Sequence, residues 1–218
     1  MRRAADQFVP LARQTPHRVV RELYEQLIAY MRDYVAAVPT YAPDDNSLAD
    51  AAINAGNALI GLCSAITYGS APLVTGVDPV SEPTAPRPTG DPSNPDRFIT
   101  NADATCQDWV DRQGKFGSDT ADWMRYDSTT PGSQWSPEER AANEAVFPIF
   151  SAYADAMEKA GRASGNPILE DFAVAGAVYL RAFVATGTNY VPSDGWISDA
   201  AFRFASLITS ACQAAGTK

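Results

Sequence analysis

The sequence predicts an all-α protein made of duplicated antiparallel helical-bundle units joined by a Pro-rich linker. Three observations predict this architecture. A helical hairpin occurs twice along the chain, apolar residues recur at spacings of three and four, and helix start signals precede these periodic segments. A spacing of three and four places side chains on one face of an α-helix, so each segment is expected to bury one stripe.

The duplicated hairpin is the most specific feature of the sequence. Residues 30–63 align on residues 179–212 without gaps, with many more identities than chance supplies. The comparison is internal to one chain, so it indicates a duplication by itself. The identical pairs are Tyr30/Tyr179, Arg32/Arg181, Val35/Val184, Ala36/Ala185, Tyr41/Tyr190, Pro43/Pro192, Asp45/Asp194, Asp50/Asp199, Ala51/Ala200, Ala52/Ala201 and Cys63/Cys212.

Residues 1–67 are predicted to form an incomplete repeat, a helical hairpin preceded by a short helix. Thr15 and Pro16 fit the N-cap and first position of the first hairpin helix, which Pro39 stops. Asp45, or alternatively Asp44, can cap the second hairpin helix. Because the loop between the two helices is short, they should pack antiparallel. The expected buried stripes are Val20, Leu23, Leu27, Tyr30, Tyr34 and Val38 in one helix, and Leu48, Ala52, Ala55, Leu59, Leu62 and Ile66 in the other.

Residues 68–97 are rich in proline, unlike the helical segments before them, and are predicted to be a linker. Prolines recur among Ser, Thr, Gly and Val, and such a stretch favours extended, polyproline-like conformations over a helix. The alternative is an ordered but irregular loop on the surface of one domain, since long structureless loops are unusual in compact folds.

Residues 98–215 are predicted to form a complete four-helix repeat. Its first helix contains Cys106 and Trp109 and should end at Gly114, with a further short helix after Ser118. The second begins at the capping-box sequence from Ser136, and the third begins at Asn166-Pro167. Counterparts of the first helix would fall before Met1, so the sequence looks as if it begins inside its first repeat.

Five segments together resemble uncharacterised helical proteins of mycobacteria and related actinobacteria. The resemblance covers residues 97–215 well and the first unit in part. It implies an exported or membrane-anchored chain and brings no known activity. The segments are Cys106-Gln-Asp-Trp109, Trp135-Ser-Pro-Glu-Glu-Arg140, Gly161 to Phe172, Tyr190-Val-Pro-Ser-Asp194 and the closing Cys212.

Composition narrows the possible partners. The formal net charge is −9 and there is no run of Lys and Arg, which argues against nucleic acid as a partner. The most apolar segments are short and interrupted by polar residues, so no transmembrane segment is expected. No signal peptide is visible after Met1, which on its own favours a cytoplasmic chain.

The three cysteines favour a location outside the cytoplasm, in the cell envelope. In an up-down-up-down bundle the first and last helices are neighbours, so Cys106 and Cys212 are expected to form a disulfide. Cys63 is then the equivalent of Cys212 in the first repeat, and the cysteine that would pair with Cys63 is missing from that repeat. The open alternative is three buried thiols in a reduced protein.

No motif predicts catalysis, a metal or a cofactor. His17 is the only histidine and is expected to be a solvated helix residue. Phosphate loops, dinucleotide fingerprints, nucleophile elbows and di-metal motifs do not occur. We therefore expect a protein without enzymatic activity.

The duplicated Tyr and Arg residues supply the candidate surface for a ligand or partner. Arg32 and Arg181 are expected to pair with Asp50 and Asp199 or to bond nearby loop carbonyls, with an anion clamp as the functional alternative. The aromatic residues can form core or line an apolar pocket. The candidates are Tyr30, Tyr34, Tyr41, Tyr179, Phe183, Tyr190, Trp196, Arg32 and Arg181.

These features predict a helical interaction module of the cell envelope that docks on a protein partner. The alternative is a helical bundle that binds an apolar small molecule or a lipid. The incomplete first repeat also allows a homodimer that shares a helix between copies.

Overall fold

A computed structural model describes residues 2–79, 90–102 and 104–216. The all-α class is confirmed, because these residues form α-helices joined by short 3₁₀ turns and contain no strand. The helices are α1 (Arg2–Gln14), α2 (Arg18–Ala37), α3 (Asn46–Thr67), α4 (Ala71–Val74), α5 (Ala104–Thr120), α6 (Pro137–Ala163), α7 (Pro167–Thr186) and α8 (Gly195–Gly216).

The strongest start signals are confirmed. The Ser136 hydroxyl accepts a hydrogen bond from the Glu139 N–H, and the Glu139 carboxylate accepts one from the Ser136 N–H. Asn166 caps α7 by accepting from the N–H groups of Ile168 and Leu169. These side chains satisfy N–H groups that have no partner inside the helix.

Two predicted helix ends are wrong. Thr15 does not cap α2, because its hydroxyl donates to the Leu11 carbonyl at the end of α1 and α2 begins at Arg18. Gly114 does not end α5, which continues to Thr120. Phe116 is buried against Phe150 and Tyr153, and this packing outweighs the weak helix propensity of glycine.

The two segments that align in sequence also have the same helix lengths. α2, α3 and the turns between them have the same lengths as α7, α8 and theirs, and α1 matches the last part of α6. In both hairpins the turn aspartate, Asp45 or Asp194, accepts from the backbone N–H three residues earlier. This aspartate therefore fixes the turn and makes no side-chain cap on the helix that follows.

Helices α3 and α8 pack along each other at the centre of the protein. Gly61 lies so close to Ala200 that an added Cβ would stand 3.1 Å from the Ala200 Cβ. Nearby, the Asn54 amide donates to the Ser210 hydroxyl. Because residue numbers rise on one helix as they fall on the other, the two helices are antiparallel.

The remaining helices surround this pair and share one hydrophobic core with it. α2 packs on α3, α7 packs on α8, and α1 and α6 lie outside α2 and α7. α5 packs on α8 and α6, so α5 to α8 form a sequential set of four helices. The predicted stripes are largely buried, but Ile66 and Val38 are exposed because each lies at the end of its helix.

The described ends of the Pro-rich segment are attached to the helices. Phe98 and Ile99 are buried, and the Gln26 side chain bonds both the Phe98 N–H and the Asp96 carbonyl. Arg97 pairs with Asp33 at 2.8 Å. Residues 80–89, at the centre of the predicted linker, lie outside the described residues.

One segment is apolar and long enough by composition to cross a membrane. It runs from Pro43 to Thr67 and includes α3, with a mean hydropathy of 1.2. Less than half of its most apolar window, 44%, is buried inside the protein. A core helix can have the same composition, and α3 packs on α2 and α8.

Candidate functional site

Cys106 and Cys212 form the predicted disulfide. It joins α5 to α8 across a sequence separation of 106 residues, with the two Cα atoms 5.1 Å apart. Cys63 on α3 is a free, exposed thiol. The disulfide is confirmed, and the alternative of three buried reduced thiols is wrong.

The outward side of α3 is apolar where a solvated helix normally carries charge. We define the α3 face as Ile53, Gly56, Ile60 and Cys63, which lie on one side of the helix. Ile53 and Ile60 are 55% and 56% exposed. Asp50 is the only ionisable residue of α3 besides Cys63. The two exposed isoleucines, with the half-buried Asn57 between them, give α3 an outward surface with little charge, which is typical of a contact surface.

Tyr24 of α2 borders this face at Cys63. Burial, followed by the neighbouring Cys63, raises the pKa of the Tyr24 phenol. The Tyr24 ring packs on Phe8 of α1 at 6.2 Å.

The duplicated arginines join the two helices that precede each turn. Arg32 pairs with Asp6 at 2.7 Å, and Arg181 pairs with Asp155 at 2.8 Å. Asp6 and Asp155 also correspond in the repeat. The predicted pairing with Asp50 and Asp199 is wrong, because the two arginines pair with Asp6 and Asp155 on the preceding helix and Asp199 pairs with Arg203.

The second copy of this pair extends into a buried network. Arg181 also contacts Glu158 at 2.7 Å, and Arg162 contacts both Glu158 and Glu170. Glu158 is only 3% exposed. The N–H groups of Arg181 and Arg162 thus donate to carboxylates of the protein itself, which favours a structural role over an anion clamp.

A second buried charge cluster joins α2 to α7. Arg18 lies 2.6 Å from Asp171 and 3.4 Å from Glu22. Burial, and then the adjacent Asp171 carboxyl, raises the pKa of Glu22 to about 8. Burial likewise raises the pKa of Asp171. The two carboxyl groups occupy corresponding positions of the repeat, one on α2 and one on α7.

The aromatic candidates are distributed over different environments. Tyr30 is fully buried against Phe98 and is a core residue. Tyr41 is exposed, and Tyr34 and Tyr179 are half-buried. Phe183, Tyr190 and Trp196 come together at one end of the second hairpin, where they line a cavity.

This aromatic cavity has a volume of about 470 Å³. It lies between the α5–α6 connection, the end of α7 and the beginning of α8. Three lining residues, Asp127, Glu139 and Asp199, are acidic, and no lysine or arginine lines the cavity. The aromatic lining is Trp123, Tyr126, Trp135, Phe147, Phe183, Tyr190, Trp196 and Phe202.

The polar atoms of three lining rings, Trp123, Trp135 and Tyr190, are bonded to the protein. The Tyr190 hydroxyl donates to the Ser128 carbonyl, and the Trp135 and Trp123 indoles donate to the Thr130 carbonyl and the Asn143 amide oxygen. Burial raises the pKa of Tyr190 to about 12. These bonds fix the shape of the cavity and leave ring faces as its main contact surface.

The sequence did not reveal most of this cavity. Trp123 and Phe147 come from segments without a duplicated counterpart, so self-comparison gave no signal for them. Among the described residues, no group of three or more His, Cys, Asp or Glu side chains is arranged to hold a metal ion.

Comparison with known proteins assigns the chain to a family. The family described as Mycobacterial ESX-1 associated protein matches residues 1–216. The chain belongs to this family. An uncharacterized protein of Mycolicibacterium smegmatis, another similar protein, is 41% identical over 219 residues. The match covers 99% of this chain and 57% of the relative, so the chain spans little more than half of that protein's length. No solved structure matches.

The family agrees with the resemblance that the sequence segments indicated. Its description links its members to the ESX-1 system by name and states no activity. The mycobacterial origin of the resemblance is therefore confirmed, and the family assignment now covers the first unit as well as the second.

Proposed function

We propose that this chain is a non-enzymatic interaction module of the mycobacterial cell envelope that docks on a protein partner linked to ESX-1 secretion. The observation that carries the proposal is the exposed apolar α3 face. The family description supports the link to ESX-1. The Cys106–Cys212 disulfide supports an oxidising compartment outside the cytoplasm, because cytosolic thiols are kept reduced.

The electrostatics of the described residues fit this role better than catalysis. The carboxylates with the most perturbed surroundings, Glu22 and Asp171, lie between packed helices and not in a cleft. The arginines retained in both repeats are occupied by internal ion pairs. Recognition by surface complementarity requires neither a nucleophile nor a general base.

Photocrosslinking in a mycobacterial host tests the docking surface. A photoreactive residue at Ile60 is expected to give a defined adduct with a protein required for ESX-1 secretion. The same residue at Met124, which is also exposed but belongs to the α5–α6 connection at the rim of the aromatic cavity, serves as the control. Equal adducts at both positions, or no adduct at Ile60, would contradict docking through the α3 face.

The aromatic cavity favours a second candidate function, binding of an apolar small molecule. Its volume and ring-lined walls suit a neutral or cationic aromatic compound, because the three lining carboxylates disfavour anions. Titration with a neutral fluorescent apolar probe is expected to show saturable binding that Trp135→Ala weakens and Ile60→Glu leaves unchanged. Equal binding by both variants would contradict a site in this cavity.

A further inference from the structure

The wall of the aromatic cavity contains a pair of stacked rings. The Trp135 and Tyr190 rings have their centroids 5.9 Å apart and an angle of 22° between their planes. The Phe183 ring packs edge-on against Tyr190 at 5.8 Å. Because the Trp135 indole and the Tyr190 hydroxyl both donate to backbone carbonyls, the two rings are held in position.

A carboxylate lies beside each ring of this pair. Glu139 accepts a hydrogen bond from the backbone N–H of the residue that follows Trp135. Asp127 directly precedes the residue whose carbonyl accepts from the Tyr190 hydroxyl at 2.6 Å. Both acidic residues line the cavity. The stacked rings are therefore accompanied by two negative charges.

The ionisation of Tyr190 reports the negative charge at this place. Burial, followed by Asp194 and Asp127, raises the pKa of the Tyr190 phenol to about 12. Asp194 is buried, and its carboxylate accepts from the Val191 N–H and the Ser70 hydroxyl, so it adds charge without lining the cavity. Surroundings that disfavour a phenolate favour a cation at the same ring.

Asp127 and Glu139 have no ionic partner among the residues that the structure describes. Asp127 accepts from the N–H and hydroxyl of Thr129, and Glu139 accepts from a backbone N–H. The third lining carboxylate, Asp199, is compensated by Arg203 at 3.2 Å. Two further arginines of these segments bond a carboxylate and a backbone carbonyl outside the cavity lining; they are Arg125 and Arg140.

The charge of the lining selects among possible ligands. An anion would find no lysine or arginine in the cavity wall. A neutral apolar compound would remove water from Asp127 and Glu139 without compensating their charge, which is unfavourable. A cation compensates the carboxylates and is also attracted by the faces of tryptophan and tyrosine rings.

From this lining we infer that the aromatic cavity binds a small organic cation, with its charge at the Trp135–Tyr190 pair near Asp127 and Glu139. The inference rests on the second proposed function, binding of an apolar small molecule, and specifies the charge of that molecule. The ligand class is a quaternary or protonated amine with an apolar body, because a cavity of about 470 Å³ accommodates a drug-sized molecule.

Two compounds of the same shape test the requirement for charge. Phenyltrimethylammonium is a cation, and tert-butylbenzene is its neutral isostere. Three of the four tryptophans line the cavity, so intrinsic fluorescence of the protein follows both titrations. We expect saturable binding of the cation with a Kd about tenfold or more below that of the neutral compound. The anion tert-butylbenzoate is expected not to bind.

Conservative variants locate the charge that the cation recognises. Asp127→Asn/Glu139→Gln removes both carboxylates, while each amide keeps an oxygen for the backbone hydrogen bonds. This variant is expected to lose the preference for the cation and to keep the affinity for tert-butylbenzene. Asp108→Asn/Asp111→Asn, at two exposed positions of α5 outside the cavity lining, removes the same charge and is expected to keep the preference. Trp135→Leu is expected to weaken the cation more than its isostere.

Three results would overturn the inference. Equal affinities of the two isosteres for the wild type would reject a cation site and retain binding of apolar molecules. Saturable binding of neither compound would reject both. Equal loss of cation affinity in the two charge variants would show a response to the net charge of the protein and not to the cavity. Docking through the α3 face is independent of these titrations, since the Ile60 photoadduct tests it.

Discussion

Individual ion pairs of the same type contribute differently in the two halves. Arg32 pairs with Asp6, which is largely exposed, and donates to the Ser93 carbonyl. Arg181 pairs with Asp155 and with Glu158, whose carboxylate is almost completely buried. Breaking an ion pair costs most when it leaves a buried charge without compensation. The duplicated residue is therefore more important to stability in the second half.

Replacing each arginine with methionine tests this difference. Arg181→Met is expected to lower the free energy of unfolding by about 2–3 kcal/mol, because Glu158 loses one of its guanidinium partners. Arg32→Met, the matched control, is expected to cost about 1 kcal/mol or less. Urea denaturation measures both values. Equal losses would show that the buried network does not depend on Arg181.

The Glu22–Asp171 pair makes stability depend on pH. The pKa of Glu22 rises from an ordinary 4.5 to about 8 on folding, so the folded protein holds a proton that the unfolded chain releases. The stabilisation from this proton is present below about pH 4.5 and is lost as pH rises towards 8. The sign follows from the raised pKa of an acid.

Glu22→Gln keeps a neutral hydrogen-bonding group at this position at every pH. Between about pH 5 and pH 8, the wild-type free energy of unfolding is expected to fall by about 1–2 kcal/mol more than that of the variant, with partial screening by solvent around Arg18. Glu144→Gln, at an exposed position of α6, is the control and is expected to follow the wild type. Parallel pH profiles for wild type and Glu22→Gln would refute a proton held by this pair.

At the scale of helices, close approach depends on small residues at a few positions. A Cβ at Gly161 of α6 would stand 2.5 Å from the Ala173 Cβ of α7, while a Cβ at Gly114 of α5 would meet nothing within 4 Å. The two glycines lie in helices and look alike in sequence. Only their surroundings distinguish a packing requirement from a weak helix former.

Gly→Ala substitutions separate these two roles. Gly161→Ala is expected to destabilise the protein by about 1–2 kcal/mol, because α6 and α7 must move apart. Gly114→Ala is expected to stabilise it by about 0.5–1 kcal/mol through improved helix propensity. Thermal and urea unfolding measure both changes. A stabilising Gly161→Ala would show that the α6–α7 contact relaxes without cost.

At the scale of the whole molecule, the disulfide links α5 to the central helix pair. It closes a loop of about half the chain, while Cys63 is exposed and makes no disulfide. Cross-linking a long loop reduces the conformational freedom of the unfolded chain. The two kinds of cysteine should therefore have very different effects on stability.

Removing the disulfide tests its contribution. The Cys106→Ser/Cys212→Ser variant is expected to lose about 4–5 kcal/mol of unfolding free energy. Cys63→Ser is expected to change it by about 0.5 kcal/mol or less, as for other exposed positions. Denaturation under non-reducing conditions compares the variants. A comparable loss for Cys63→Ser would indicate that its thiol has a structural role.

The sequence alone predicted the helical class, the hairpins, the capping residues at Ser136 and Asn166, and the Cys106–Cys212 bond. The helices and caps depend on local spacing and on hydrogen bonds within a few residues. The disulfide depends on the adjacency of the first and last helices in a four-helix bundle. It also directed attention to Cys63, because self-comparison set it beside Cys212. Local patterns did not predict the partners of Arg32 and Arg181, which lie on a neighbouring helix.

Tertiary structure decided which of these features are available for function. Sequence periodicity identifies the buried side of α3 but cannot show whether its other side is covered, since exposure depends on helices far away in the chain. The structure shows Ile53, Ile60 and Cys63 open on α3, while α5 covers their counterparts on α8. The sequence itself contains the repeat. Only the packing of α5 determines that the outward side of α8 is buried while that of α3 is exposed.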